Sequence, residues 1–220
     1  MVGNKLGVGL VGAGAIAQLH ARVLEASGQA ALAGVYDASE SAARALAGHS
    51  GAAAYARLSD LLEDPAVDAV AVLTPSGARE PIVRAAAAAG KHVICEKPVE
   101  IALDRIDRMI EVCRSNGVQL ACVLNNRYNP VYSRIHECVQ SGKLGRMILG
   151  DVSVKWYREP DYYRDSPWRG TWAMDGGGAL MNQSIHFVDL LLWMMGPVRD
   201  VSAYAATNLH AYIEVEDMAV

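Results

Sequence analysis

Short apolar runs alternate with helical stretches along the first half of the chain. The runs have the length and composition of buried strands: Leu6–Val11, Ala31–Tyr36, Ala69–Leu73, His92–Cys95 and Val118–Val123. The stretches between them have helical patterning: Ile16–Ser27, Ser39–Ala47, Arg57–Glu63, Ala78–Ala89 and Leu103–Ser115. This alternation predicts βαβ units and an α/β fold with a doubly wound parallel sheet.

The pattern changes after Asn129-Pro130. We predict two helices, Pro130–Ser141 and Gly178–Met195, separated by an alternating strand over Arg146–Tyr157 and a polar, aromatic loop over Arg158–Asp175. Two more strands are predicted over Val198–Ala206 and Ala211–Val220. Helices packed on a mainly antiparallel sheet form a second, α+β domain. We therefore divide the chain into residues 1–125 and 126–220.

A Gly-x-Gly-x-x-Ala sequence follows the first predicted strand and opens the first helix, with Gly12, Gly14 and Ala17 at its fixed positions. In such a loop the first glycine permits a tight turn and the second lets the backbone approach a pyrophosphate. The helix N-terminus adds amide donors and a partial positive charge. A glycine turn without a ligand is the alternative, but here we predict a dinucleotide site that includes Ala15 and Ile16.

Asp37 ends the second predicted strand, roughly 20 residues beyond the glycines, where a carboxylate binds the adenosine ribose hydroxyls. A carboxylate there repels a 2′-phosphate, and the following Ala38-Ser39 offers no arginine to bind one. We therefore predict NAD as the cofactor in preference to NADP. The alternative for Asp37 is a helix N-cap, a role that Ser39 could also take.

Glu96-Lys97-Pro98 ends the strand His92–Cys95, and Thr74-Pro75 follows the strand Ala69–Leu73. Ligands of open parallel sheets bind at the carboxyl ends of the strands. We assign Thr74, Pro75, Glu96 and Lys97 to the cofactor crevice, and Lys97 also to catalysis. For Lys97 alone, a solvated turn would be the simpler interpretation.

Asn182 and His186 follow the glycines Gly176–Gly178 and are spaced i, i+4, so an α-helix would place both on one face. This pairing favours a catalytic role over that of a buried core histidine. We also predict that Arg127, Arg169 and Trp172 contact substrate, although packing or solvated side chains fit these three equally well.

Composition excludes several other classes of protein. The formal net charge of −4 gives no reason to expect nucleic acid or an anionic membrane as a partner. The 4 cysteines form no Cys-x-x-Cys pair, and no histidines cluster, which argues against a metal site or disulfides. No apolar run reaches membrane-spanning length. We expect a cytoplasmic protein with reduced thiols.

Taken together, the Gly-x-Gly-x-x-Ala loop, Glu96-Lys97-Pro98 and the Gly-Gly-Gly…Asn182-x-x-x-His186 segment resemble the Gfo/Idh/MocA family of sugar and polyol dehydrogenases. The resemblance covers essentially the whole chain. It implies an NAD(P)-binding Rossmann domain, followed by an α+β domain that supplies the substrate site and the oligomer interface. It also implies that Lys97 and His186 act at the reacting hydroxyl. Inositol dehydrogenase-like members carry an aspartate where this chain has Asn182, whose amide could still orient substrate.

The expected reaction is oxidation of a secondary hydroxyl of a sugar, cyclic polyol or nucleotide-linked sugar by hydride transfer to nicotinamide. His186 is suited to act as the base, and Lys97 to stabilise developing alkoxide charge. Two alternatives remain: an NAD-dependent glycosidase of the same fold, and a non-catalytic regulator that senses dinucleotide.

The strand pattern Ala211–Val220 runs to the end of the sequence with no closing element. The resemblance implies further strands after it, so we expect this chain to be a truncated form. It also implies a homo-oligomer that forms through the C-terminal sheet, since packing of the open sheet face against a second subunit would cover apolar residues that a monomer leaves exposed.

Overall fold

The computed structural model describes residues 5–220, so the first 4 residues of the predicted 1–125 domain lie outside the described part. The chain forms two compact units, one that ends at Val123 and one that comprises Leu124–Val220. Within residues 5–220, no helix is both long enough and apolar enough to cross a membrane.

Unit 1 is built on a six-stranded, wholly parallel sheet with the order β3-β2-β1-β4-β5-β6. Its strands are β1 (Leu6–Val11), β2 (Ala30–Tyr36), β3 (Ala53–Tyr55), β4 (Ala69–Val72), β5 (His92–Cys95) and β6 (Leu120–Cys122). This order is that of a dinucleotide-binding doubly wound fold, which confirms the predicted fold class. The short edge strand β3 was not predicted, because three residues carry too little pattern to separate a strand from a turn.

Five α-helices connect these strands: α1 (Ala15–Ala26), α2 (Glu40–Ser50), α3 (Leu58–Glu63), α4 (Arg79–Ala88) and α5 (Leu103–Ser115). The hydroxyl of Ser39 caps α2 by accepting a hydrogen bond from the N–H of Ala42, at 3.4 Å. Such a cap marks a helix start in the sequence, and all five helices lie close to their predicted positions.

The sheet is covered on both faces, which explains why its strands are almost continuously apolar. One buried cluster joins strand residues to α1 and α2 and includes Leu10, Val35 and Ala17. The other joins the sheet to α3, α4 and α5 and includes Val72, Leu61 and Met109. The central strands thus hold the loops at their carboxyl ends on a rigid base.

The main regular elements of unit 2 are helices. It contains α6 (Pro130–Gln140), α7 (Pro160–Arg164), a π-helical segment (Ala179–Gln183) and α8 (Ile185–Met195). Its sheet consists of two short antiparallel strands, β7 (Ala205–Ala206) and β8 (Met218–Ala219). The small antiparallel sheet beside helices agrees with the predicted α+β class, whereas α7 lies in a segment predicted to be a loop.

Several predicted elements of unit 2 are wrong in extent or kind. Residues 146–157 form no strand, and the predicted strands 198–206 and 211–220 are reduced to two residues each. A strand requires a neighbour for its backbone hydrogen bonds, and no segment among residues 5–220 pairs with 146–157. Accordingly, Ile148 is 85% exposed and Leu149 80% exposed.

Candidate active site

The glycine loop between β1 and α1 has the geometry of a dinucleotide-binding turn. Gly12 has φ +106°, and a Cβ atom there would lie 3.1 Å from the backbone carbon of Leu73, so only glycine fits. Gly14 is the N-cap of α1, and a Cβ atom there would meet nothing within 4 Å. The first-turn residues Ala15 and Ile16 carry N–H groups that no preceding helical turn can satisfy. The space in front of α1 is therefore open and lined with donors.

Asp37 lies directly after β2 and contacts this loop. Its Oδ2 accepts a hydrogen bond from the N–H of Ala13 at 2.7 Å, and its Oδ1 accepts one from the N–H of Ser39, also at 2.7 Å. Ser39, not Asp37, caps α2. Each carboxylate oxygen has a second lone pair, so the side chain can still accept hydrogen bonds from ribose hydroxyls.

At the neighbouring strand ends, Thr74 follows β4. Its Oγ1 is buried and forms no hydrogen bond with any other residue of the described part. A buried hydroxyl without a partner in the protein is uncommon, and a polar ligand at this edge would satisfy it. Together with the open space at Gly14, this hydroxyl fits a bound dinucleotide.

A buried arginine that no sequence motif marks organises the same edge. Arg79, at the start of α4, is 4% exposed. Its Nε donates to the carbonyl oxygen of Thr74 at 2.9 Å, and its Nη1 to that of Glu96 at 2.5 Å and to that of Pro98. Burial lowers the pKa of this guanidinium. One side chain thus joins the loop after β4 to the Glu96-Lys97-Pro98 segment after β5.

Glu96 is held in place by an equally unpredicted partner, His20 of α1. His20 Nε2 and Glu96 Oε1 are 2.9 Å apart, while Glu96 Oε2 accepts the N–H of Lys97 at 3.0 Å. Burial acts to raise the pKa of the Glu96 carboxyl, but these hydrogen bonds outweigh it and hold the pKa below its usual range. The backbone of half-buried Lys97 is therefore held by the carboxylate of the preceding residue, which is itself fixed.

In unit 2, the side chain of Asn182 is buried and contacts the carboxylate of Asp175. Its Nδ2 donates to Asp175 Oδ1 at 2.6 Å, and Asp175 Oδ2 accepts the N–H of Gly170 at 2.9 Å. Asn182 belongs to the π-helical segment, whereas His186 lies in the first turn of α8. The prediction of one continuous α-helix that carries both residues is therefore wrong, because the helix around Asn182 is π-helical. Their catalytic roles remain predictions.

Gly178, the last of the glycines before Asn182, is required by the close approach of segment 215–216. A Cβ atom on Gly178 would lie 1.9 Å from the carbonyl oxygen of Glu216. That carbonyl accepts the N–H of Ala179 at 2.8 Å, and the Glu216 carboxylate accepts the N–H groups of Gly178 and Leu180. This capping begins the π-helical segment.

The three predicted substrate contacts all have partners within unit 2. Arg127 forms a two-point ion pair with Asp189 of α8 (Nε–Oδ2 2.8 Å, Nη2–Oδ1 2.5 Å). Arg169 lies over the ring of Tyr162, 4.1 Å from its centroid, and the N–H of 57% exposed Trp172 donates to Glu214 at 2.8 Å. The ion pair gives Arg127 a structural role, and contact with substrate remains a prediction for all three residues.

Comparison with known proteins agrees with this arrangement. Residues 6–123 match a family model described as "Oxidoreductase family, NAD-binding Rossmann fold", and residues 132–220 match one described as "GFO/IDH/MocA C-terminal domain".

Among residues 5–220, no group of three His, Cys, Asp or Glu side chains is placed to bind a metal ion.

Individual relatives cover the chain at moderate identity. The WlbA dehydrogenase from Chromobacterium violaceum, solved with NADH and UDP-GlcNAcA, is 37% identical over 100% of this chain, with a TM-score of 0.93. The WlbA dehydrogenase from Bordetella pertussis, with the same ligands, is 38% identical over 98%, with a TM-score of 0.92. Myo-inositol 2-dehydrogenase from Thermotoga maritima is 32% identical over 86%. The chain spans 63%, 65% and 54% of these proteins, respectively.

Proposed function

This chain belongs to the Gfo/Idh/MocA family of NAD-binding oxidoreductases, and we propose that it is the cofactor-binding and catalytic part of an NAD-dependent dehydrogenase. The substrate is a sugar, a cyclic polyol or a nucleotide-linked sugar, and the reaction oxidises one of its secondary hydroxyls. The observation that carries the proposal is the open, donor-lined space at Gly14, with Asp37 at the end of the adjacent strand.

A preference for NAD over NADP follows from Asp37. The glycine loop and the first turn of α1 would bind the pyrophosphate, and the Asp37 carboxylate would accept hydrogen bonds from the adenosine ribose. A 2′-phosphate in the same place would face a negative charge. The carboxylate is fixed by its bonds to Ala13 and Ser39, so it cannot turn away without breaking them.

Two residues are proposed to act at the reacting hydroxyl. His186 removes the hydroxyl proton, since imidazole titrates near neutral pH. The Lys97 ammonium stabilises the negative charge that develops on the oxygen. Bound NAD would supply the hydride acceptor. The Arg79 and Glu96 contacts, which fix the backbone on either side of Lys97, support its role as a positioned charge.

Among the substrate classes, the nucleotide-linked sugars are favoured. The two dehydrogenases solved with NADH and UDP-GlcNAcA share 37% and 38% identity with this chain, against 32% for the inositol dehydrogenase. The UDP-GlcNAcA in those two structures joins a sugar ring to an anionic nucleotide.

The test is a panel of sugars, polyols and nucleotide sugars incubated with the purified chain and NAD, with NADH absorbance as the readout. We expect net NADH formation with at least one sugar, and its loss in Lys97→Ala and His186→Ala. Lys143→Ala and His49→Ala, at exposed positions, are the matched controls. Normal turnover in both site variants would refute the assignment, while turnover without net NADH would indicate the glycosidase.

A further inference from the structure

Unit 2 contains a cavity of about 450 Å³ that none of the roles assigned above explains. Its aromatic wall is formed by Trp156, Tyr157 and Tyr163, and its basic side by Lys155 and Arg158. An aromatic wall beside two cationic side chains suits a sugar ring or base that carries an anionic group.

Arg158 is held in one orientation at this cavity. Its Nε and Nη2 both donate to Oε1 of Gln183, at 2.9 Å and 2.6 Å. Its guanidinium carbon lies 3.9 Å from the ring centroid of Trp156 and 4.6 Å from that of Tyr162. Gln183 occupies the Nε/Nη2 edge of this guanidinium, which leaves the Nη1/Nη2 edge for an oxyanion. Because the stacked group is already held in place, binding would cost little further rotamer entropy.

The charge of Arg158 is not balanced within the described part of the chain. No ion pair found among residues 5–220 includes Arg158 or Lys155. The one acid in the described cavity wall, Asp217, accepts N–H hydrogen bonds at 2.8 Å from each of Asn208, Leu209 and His210. The carboxylate of Asp217 is therefore held by backbone N–H groups and not by either cation, and the two cations outnumber the one acid in the cavity lining.

The cavity adjoins the segment that carries the proposed catalytic residues. Gln183 and Ser184, which lie between Asn182 and His186 in the chain, both line it. The amide that orients Arg158 is thus next to Asn182. A ligand anchored on Arg158 would lie along the stretch of backbone that leads to His186.

We propose that Arg158, oriented by Gln183 and assisted by Lys155, is the specificity-determining residue of an oxyanion subsite that binds a carboxylate or phosphate group of the sugar substrate. This inference rests on the proposed function, which it narrows to acidic substrates. A uronate carboxylate and a nucleotide diphosphate share the required chemistry, so ligand pairs that differ only in charge distinguish the two sources.

The experiment is calorimetric titration of the chain, without NAD, with D-glucuronate against its uncharged methyl ester and with UDP against uridine. We expect at least one charged ligand to bind about tenfold or more tightly than its neutral partner, and Arg158→Gln to weaken that ligand about 10- to 100-fold. Arg164→Gln, at a 65% exposed surface pair with Asp161, is the matched control and should bind as the wild type does. If only glucuronate shows this charge-dependent binding, the subsite binds a carboxylate. If only UDP shows it, the subsite binds a phosphate.

Equal affinity for the charged and neutral members of both pairs would overturn the proposal, as would unchanged binding by Arg158→Gln. If that variant does not fold, the comparison of ligand pairs on the wild-type chain still decides. The proposed function is tested separately by NADH formation. Turnover of neutral and acidic sugars with equal KM refutes the subsite alone, whereas charge-dependent binding without turnover supports the subsite and refutes the dehydrogenase.

Discussion

The carboxylate of Asp37 accepts the backbone N–H of Ala13 at 2.7 Å, so the end of β2 fixes the glycine loop at the end of β1. The same side chain thereby fixes the conformation of the glycine loop and places a negative charge beside it. Changes at Asp37 consequently affect the affinity for any dinucleotide as well as the choice between NAD and NADP. An isosteric substitution separates these effects better than a truncation does.

Asp37→Asn removes the negative charge while keeping one oxygen that can accept the N–H of Ala13. We expect the affinity for NAD to fall about tenfold, because an amide accepts weaker hydrogen bonds from ribose hydroxyls. Affinity for NADP should fall less or rise, since the repulsion of a 2′-phosphate is gone. Titration of both cofactors into wild type and D37N measures the change, with the cap variant Ser39→Ala as the control. An unaltered ratio of the affinities for NAD and NADP would contradict the prediction.

Gly14→Ala separates folding from cofactor binding. A Cβ atom at Gly14 meets nothing within 4 Å, and φ −72° suits any residue. The free energy of unfolding should therefore change by less than about 1 kcal/mol, the scale of an N-cap substitution. Affinity for NAD should drop at least about tenfold, because the methyl group occupies the space in which the backbone approaches the pyrophosphate.

The matched control for Gly14→Ala is Gly48→Ala in α2, where a Cβ atom also meets nothing within 4 Å. That change should stabilise the chain by about 0.5–1 kcal/mol, since alanine favours the helix, and leave NAD binding unaltered. Equal NAD affinity in Gly14→Ala and wild type would mean that the dinucleotide lies elsewhere.

Gly178→Ala tests the close approach that begins the π-helical segment. The added methyl group would lie 1.9 Å from the carbonyl oxygen of Glu216, and a backbone atom cannot move aside cheaply. We expect a loss of about 3 kcal/mol in the free energy of unfolding of unit 2. All 4 tryptophans lie in unit 2, so their fluorescence during urea denaturation reports this loss. Wild-type stability would show that the segment relaxes without cost.

The fold of unit 1 could be predicted because its signals are local. Continuous apolar runs such as Leu6–Val11 are what a sheet buried on both faces requires, and the glycine loop and Asp37 stand at fixed offsets from them. Unit 2 was predicted less well, because the alternating pattern in 146–157 indicates a strand only where a neighbour pairs with it.

The parts of the site that were missed depend on contacts distant in sequence. Arg79 donates hydrogen bonds to the carbonyl groups of Glu96 and Pro98, which are 17 and 19 residues away. His20 binds Glu96, which is 76 residues away. No spacing rule links such residues in one sequence. The only signal in the sequence is charge, because an arginine shortly after a buried strand can bind backbone carbonyl groups instead of facing solvent.

Arg79→Met should destabilise unit 1 by about 3 kcal/mol, because the carbonyl groups of Thr74, Glu96 and Pro98 lose a charged donor while buried. Far-UV circular dichroism during urea denaturation measures the change. Arg84→Met on the same helix removes a 61% exposed guanidinium paired with Glu80, and should cost less than about 1 kcal/mol. Similar losses of unfolding free energy in the two variants would contradict a stabilising role for the Arg79 hydrogen bonds.

The last prediction concerns pH and the pair His20–Glu96. The pKa of Glu96 in the folded chain is held below its usual range, although burial alone would raise it. A carboxyl with a depressed pKa stabilises the folded state above its unfolded pKa, about 4.3 for glutamate. That contribution is lost as the pH falls from there through the folded pKa. The stability of the wild type should decline over this interval.

His20→Ala removes the hydrogen bond to Glu96 Oε1 while the burial remains, so the pKa of the carboxyl rises above its value in the wild-type fold. The variant therefore loses stability at a pH where the carboxylate is ionised, and this loss disappears once the carboxyl is protonated in both proteins. The difference in unfolding free energy between wild type and H20A should therefore be largest near pH 5 and narrow as the pH falls to about 3. His49→Ala, an exposed histidine of α2, controls for the loss of one imidazole and should show no such narrowing. A difference that stays constant from pH 5 to pH 3 would mean that His20 does not set the pKa of Glu96.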